Sequence, residues 1–247
     1  MEPLGCALLT AVGVLAGFTN VMAGGGSLLT LPVMVFLGLS GPVANGTNRI
    51  AILLQNASAI TSFRRQGLHD FRLSLSLALC ALPGAAAGAY LGTKLEGVWF
   101  NRMLAAIMVA VLLLILNKKK TAANTAGARP QRIILGHFLM IGAGLYGGFI
   151  QAGVGFILMA VLHRIMGLDL VRVNMHKVFI VGIYTIAALA VFAWRGQVWL
   201  LPGLALAAGN AAGGWLGAQV SVKKGDRAIL AVFSAAIVLL ALKLLLT

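Results

Sequence analysis

Two glycine-rich stretches carry the first chemical signal in this sequence. One reads Ala23-Gly24-Gly25-Gly26-Ser27 and the other Gln151-Ala152-Gly153-Val154-Gly155. Glycine lets the backbone leave a helical path and approach a ligand closely. A helix that starts just after such a break turns its free N–H groups and positive dipole end toward whatever lies in front, a setting that attracts anions. Two polar clusters follow, Asn45-Gly46-Thr47-Asn48-Arg49 and Asn174-Met175-His176-Lys177, each with one permanent cation. The five acids are Glu2, Asp70, Glu96, Asp169 and Asp226, all in expected loops or at the terminus. A cation-transporting protein places carboxylates inside its bundle. Buried cations without acids point instead to a small anion as the species held.

Each signal has a structural alternative. Small residues also line close helix–helix contacts in membranes. Arg49 and Lys177 each fall within about a turn of an expected helix boundary, where a long side chain can snorkel to the interface. His176 is of a type that titrates near neutrality, but it can equally be a satisfied, non-titrating side chain. The glycine breaks are not nucleotide loops, because no strand precedes them and no Lys-Ser/Thr ending follows. Cys6 and Cys80 lie in apolar segments with no metal or disulfide spacing.

The elements that would position these residues are membrane-spanning helices. The chain has 247 residues, 60% hydrophobic and 10% charged, with a mean hydropathy of +0.99. A soluble domain needs many more charges to coat its surface. Apolar segments recur at about 4–22, 27–39, 44–63, 73–93, 98–116, 133–151, 154–166, 173–194, 199–221 and 228–246. They do not alternate as barrel strands do. The second and seventh hold about 13 residues, roughly 20 Å of helix, which is too short to cross a core of roughly 30 Å. They are expected to be half-helices that either re-enter or span with help.

The two halves align at a constant offset. Gly24 pairs with Gly153, Gly26 with Gly155, Gly38 with Gly167, Asn45 with Asn174, Gly67 with Gly196 and Gly88 with Gly217. Upstream, Gly17-Phe18 matches Gly148-Phe149 after a two-residue gap. Five segments per half would invert the second copy relative to the first, the layout of many secondary transporters. The expected fold class is an all-α integral membrane protein of two inverted-topology repeats. Residues 1–116 form the first, 117–131 a polar linker and 132–247 the second. Gly84, Gly88 and Gly92, with Gly209, Gly213 and Gly217, are spaced for helix packing.

The formal charge of +14 would suggest nucleic acid in a soluble protein, but here it sets orientation. Thirteen of the 19 Lys and Arg fall in loops after odd-numbered segments, four on the other side, and Arg49 and Lys177 are the remaining two. The richer side, including Lys118–Lys120, is expected to be cytoplasmic, with both termini outside. Glu2 and the absence of an early Lys or Arg argue against a signal peptide, so the first segment is read as a retained helix.

Gly24-Gly25-Gly26-Ser27, Pro32, Gly41 and Asn45-Gly46-Thr47-Asn48 resemble the first signature of the sulfite exporter TauE/SafE family. Gly153-Val154-Gly155, Gly167 and Asn174 to Lys177 resemble its degenerate second copy, with Met175-His176 opposite Gly46-Thr47 and Val161 opposite Pro32. The resemblance implies a permease of sulfur-containing anions in the cytoplasmic membrane, sulfite above all, with organosulfonate or thiosulfate as alternatives. A passive anion channel remains open as a second class. An enzyme is disfavoured, since no carboxylate pair, metal cluster or Ser-His-Asp set lies in the spans. The expected substrate contacts are Gly24, Gly25, Gly26, Ser27, Asn45, Thr47, Asn48, Arg49, Gln151, Gly153, Gly155, Asn174, His176 and Lys177. The expected partners are a small anion and the bilayer, with no cofactor and no nucleic acid; a homodimer is left open.

Overall fold

The computed structural model describes residues 3–95, 97–116 and 132–246. The expected linker 117–131, with Lys118, Lys119, Lys120 and Arg129, lies outside them, as do Glu2 and Glu96. The described residues form helices joined by short turns and breaks, with no strand among them. In order they form α1 (Pro3–Ala23), α2 (Ser27–Phe36), α3 (Gly41–Arg65), α4 (Phe71–Gly92), α5 (Gly97–Leu116), α6 (Ile133–Phe149), α7 (Val154–Met159), α8 (Leu170–Trp194) and α9 (Leu200–Leu246). The last turn of the α7 segment widens into a π-helical stretch, Ala160–Ile165. The two segments expected at about 199–221 and 228–246 are joined in α9 across a bend at Gly225, whose φ of 62° and ψ of −159° are non-helical.

Helix starts follow local chemistry. The Asp70 side chain accepts from the Leu73 amide and caps α4, and Asp169 accepts from the Arg172 amide and caps α8. These two acids act where an N-terminal carboxylate also complements the helix dipole. Asp169 further pairs with Arg172 at 3.3 Å.

Among the described residues, α1, α4 and α8 are long and apolar enough to cross a membrane by length and composition. Ten apolar segments were expected. The α2, α6 and α7 segments are apolar but shorter, and α3 has 25 residues, but its buried face carries Asn45, Thr47, Asn48, Arg49, Gln55 and Asn56. The polarity of the molecule is inside out. Phe36 is 87% exposed and Trp194 79%, while Arg49 is fully buried. A solvated surface would not carry so many large apolar side chains; a hydrocarbon surface requires them.

The halves interlock. α1 of the first half packs along α9 of the second, and α4 along α6. Both interfaces are floored by the expected glycine stripes. A side chain at Gly84, Gly88 or Gly92 would strike the carbonyls of Ile141, Leu145 or Phe149, and one at Gly209 or Gly213 those of Thr10 or Val14. Backbone shape recurs along the chain as well: Gly24, Gly38 and Gly67 have positive φ, and so do Gly153, Gly167 and Gly196, their partners in the sequence alignment.

Candidate functional site

Helix α1 stops at Ala23 because Gly24 turns left-handed, at φ 90°. Helix α6 stops at Phe149, after which Gln151 and Gly153 take φ of 63° and 73°. Positive φ costs glycine little but is uncommon for glutamine, so the second break holds a side chain in a conformation it must be forced into. The two breaks meet. A Cβ on Gly24 would run into the Gly155 backbone, and one on Gly155 into Gly24. Gly25 faces the Phe156 ring, where an added Cβ would stand 2.9 Å from its edge.

The N–H groups that follow the breaks are less free than the sequence suggests. Leu28 donates to Gly25 O at 3.0 Å, Leu29 to Gly26 O at 3.0 Å and Phe156 to Gly153 O at 3.0 Å. Several first-turn amides are thus turned back onto the breaks themselves rather than toward a ligand.

Each cation caps a broken helix of the opposite half. Arg49 on α3 donates from Nη1 to Gly147 O at 3.3 Å and to Gln151 Oε1 at 3.0 Å. Its Nη2 reaches Gly148 O in a short contact and Asn45 Oδ1 at 3.3 Å. Asn45 Nδ2 takes Phe149 O at 2.7 Å. The last carbonyls of α6, which have no partners within their own helix, are therefore held by α3. On the other side, Lys177 Nζ on α8 donates to Val21 O at 2.8 Å and to Asn174 Oδ1 at 2.7 Å, and Asn174 Nδ2 reaches Met22 O at 3.4 Å. Those carbonyls end α1. A cation at a helix C-terminus is favoured by the dipole, more so where water is excluded. Lys177 is 3% exposed. Neither cation snorkels, and neither lacks a partner, contrary to the expectation that only a bound anion completes them.

The other expected residues divide by position. Asn48 accepts from Thr30 Oγ1 at 2.8 Å and donates to Ser27 Oγ at 3.3 Å, which fastens α2 to α3. Thr47 Oγ1 accepts from the Trp199 amide at 2.9 Å and holds the start of α9. His176 Nδ1 bonds Ser74 Oγ of α4 at 2.8 Å. These three side chains are engaged with neighbouring helices. Gln151, Gly155 and Lys177 line a cavity of about 10 Å³ at the crossing of the breaks, on the scale of one water.

The same cavity is lined by Asn20, Gln55 and Asn56, which sequence reasoning missed. A signal existed. With the two-residue gap of the repeat, Asn20 is the counterpart of Gln151, and Gln55 and Asn56 are polar residues in the middle of a span. Asn20 Nδ2 donates to Gln55 Oε1 at 3.2 Å, and Asn210 Nδ2 to the same oxygen at 3.4 Å. Gln55 Nε2 and Asn56 Nδ2, both fully enclosed, have no hydrogen-bond partner among the described residues. Such donors are costly to bury unless something accepts from them.

The family model for the sulfite exporter TauE/SafE matches residues 9–244. The chain belongs to the TauE/SafE family. Among relatives of this TauE/SafE chain, a probable membrane transporter protein of Haemophilus influenzae is 27% identical over 90% of this chain and 88% of its own. Probable membrane transporter protein ORF9 of a Sinorhizobium species is 27% identical over 97% and 92%. Probable membrane transporter protein YfcA of Escherichia coli K12 is 26% identical over 93% and 85%. No solved structure matches this TauE/SafE chain. With the apolar exterior, these relatives make it a membrane protein of a transporter family.

Proposed function

We propose that the chain is a secondary transporter of small sulfur-containing anions and exports sulfite across the cytoplasmic membrane. The carrying observation is the crossing itself. Two broken helices, one from each half, meet beside a buried ammonium and unpartnered amide donors, with no carboxylate among the lining residues. Sites of this construction, at discontinuous helices where two repeats meet, serve secondary transporters.

In this reading the halves are inverted repeats, 1–116 and 132–247, joined by a cytoplasmic linker at 117–131, with both termini outside. Lys177 and Gln151 reach the anion directly. Arg49 and Asn45 hold α6 and orient Gln151, and Gly24, Gly25, Gly26, Gly153 and Gly155 let the backbones close around it. Ser27, Thr47, Asn48, Asn174 and His176 keep the surrounding helices in register. The cavity of about 10 Å³ is too small for an oxyanion, so loading requires the two breaks to part. A protein that must open to load is a gated carrier; a passive channel would keep a continuous path.

The test is counterflow in proteoliposomes. Vesicles preloaded with unlabelled sulfite should accumulate labelled sulfite transiently and saturably. Linear, non-saturating flux without an overshoot would replace the carrier with a channel.

A further inference from the structure

The cavity at the crossing of the breaks has one formal charge and several neutral donors on its wall. Among its lining residues, Lys177 is the single charged group; Asn20, Gln55, Asn56 and Gln151 are amides, and the rest are Val154, Gly155, Val178 and Val181. Arg49 does not line it, because its guanidinium is held by Gly147, Gly148, Gln151 and Asn45 and stacks 4.7 Å from the Phe192 ring centroid. The amides are also oriented. Gln55 Oε1 is taken by Asn20 and Asn210, so the Gln55 NH₂ is the end left for the cavity. Gln151 Oε1 is taken by Arg49. Asn56 Nδ2 has no partner among the described residues, and Asn56 is 1% exposed, as is Gln55.

We infer that Gln55 and Asn56 are direct substrate contacts and that the site takes its anion as a compact monoanion. The inference rests on the proposed anion-transport function and deepens it. One ammonium balances one negative charge. The remaining oxygens of the anion are met by NH₂ groups, which stabilise by hydrogen bonding but do not neutralise. A second negative charge would find no counter-charge on the cavity wall, since the Arg49 guanidinium stands behind Gln151, and burying a charge without a contacting partner is far more costly than burying a paired one. Sulfite would thus be accepted as its hydrogen form, and a sulfonate, singly charged at all ordinary pH, would fit the same donors. Sulfate, a dianion of similar shape, would be excluded on charge alone.

The experiment uses the purified full chain and two tetrahedral probes of similar volume that differ by one charge, methanesulfonate and sulfate, measured by calorimetry. The wild-type protein should bind methanesulfonate at least roughly ten-fold more tightly than sulfate, ten-fold being the smallest margin that clearly reads a charge difference. Asn56→Leu removes a donor at similar volume without breaking a protein hydrogen bond of Nδ2. Gln55→Glu keeps the oxygen held by Asn20 and Asn210 while replacing the NH₂. Asn56→Leu should lower methanesulfonate affinity roughly ten- to hundred-fold, the range for a lost hydrogen bond to a charged group, and Gln55→Glu should lower it at least as much, since it also sets a carboxylate against the anion. Sulfate binding as tight as methanesulfonate overturns the monoanion assignment alone. Wild-type affinity in Asn56→Leu removes the amide contacts, whatever the folding of Gln55→Glu. If no anion, sulfite included, binds the wild-type protein, the transport function falls with it.

Discussion

Lys177 of α8 and Val21 of α1 stand 2.8 Å apart, ammonium to carbonyl, across the junction of the two halves. Arg49 of α3 makes the reciprocal reach to the end of α6. Each half thus finishes the other's broken helix, and Lys177 and Gln151, one from each cap, line the small cavity where the breaks cross.

The two cations should separate in effect. Arg49 is fully buried, has four acceptors and stays off the cavity wall. Arg49→Gln should destabilise the protein by about 3 kcal/mol or more, since it leaves several buried carbonyls unpaired at about 1–3 kcal/mol each. Lys177→Gln should cost less stability and lower sulfite affinity roughly ten- to hundred-fold. Thermal melts and calorimetry on both variants check this. Equal losses in both assays for both variants would mean that the cations do one job.

The breaks should tolerate substitution unequally. An alanine at Gly24 or Gly155 meets main chain, which cannot move aside, and Gly24 also has φ of 90°. Each should lose about 1–3 kcal/mol from overpacking. Gly25→Ala meets only the edge of the Phe156 ring and should be milder. Melting temperatures of the three variants in one detergent give the ranking, and a Gly25 variant less stable than the other two would contradict the crossing geometry.

Thr47 should behave as a helix anchor. Its hydroxyl holds the Trp199 amide at 2.9 Å. Thr47→Val, which keeps the shape and deletes the acceptor, should cost about 1 kcal/mol of stability. Sulfite affinity should stay within about two-fold of wild type. A large affinity loss with an unchanged melt would place Thr47 at the anion instead.

The proposed orientation rests on the distribution of Lys and Arg. A single cysteine introduced as Lys119→Cys, with Cys6 and Cys80 replaced, should resist a membrane-impermeant thiol reagent in intact cells and react after permeabilisation. Labelling from outside intact cells would reverse the topology.

Much of the architecture was legible before any coordinates. The breaks at Gly24 and Gly153, the short helices after them and the stripes Gly84–Gly88–Gly92 and Gly209–Gly213–Gly217 are local or periodic patterns. Glycine's backbone freedom and the 3.6-residue repeat write them directly into the chain. The family resemblance rested on the two breaks and the two asparagine clusters that follow them, and the family model matches residues 9–244.

The partners of the polar residues were another matter. Arg49 and Lys177 were visible as cations near helix boundaries, free to snorkel or to be buried, but the acceptors that hold them lie 99 and 156 residues away, at Gly148 and Val21. No spacing rule predicts which carbonyl a long side chain meets across a helix junction. Thr47 and Asn48 looked like ligand groups because they flank Arg49, yet helical geometry points adjacent residues to different neighbours, one to α9 and one to α2. Gln55 and Asn56 are polar residues in mid-span, but only the closed fold shows that their NH₂ groups meet at the crossing of the breaks. Where the helices break is written in the chain itself, because glycine's backbone freedom is a local property. Whether Arg49 and Lys177 are buried, and which donors the breaks enclose, came from packing, because a hydrogen bond between distant segments exists only once both ends are brought together.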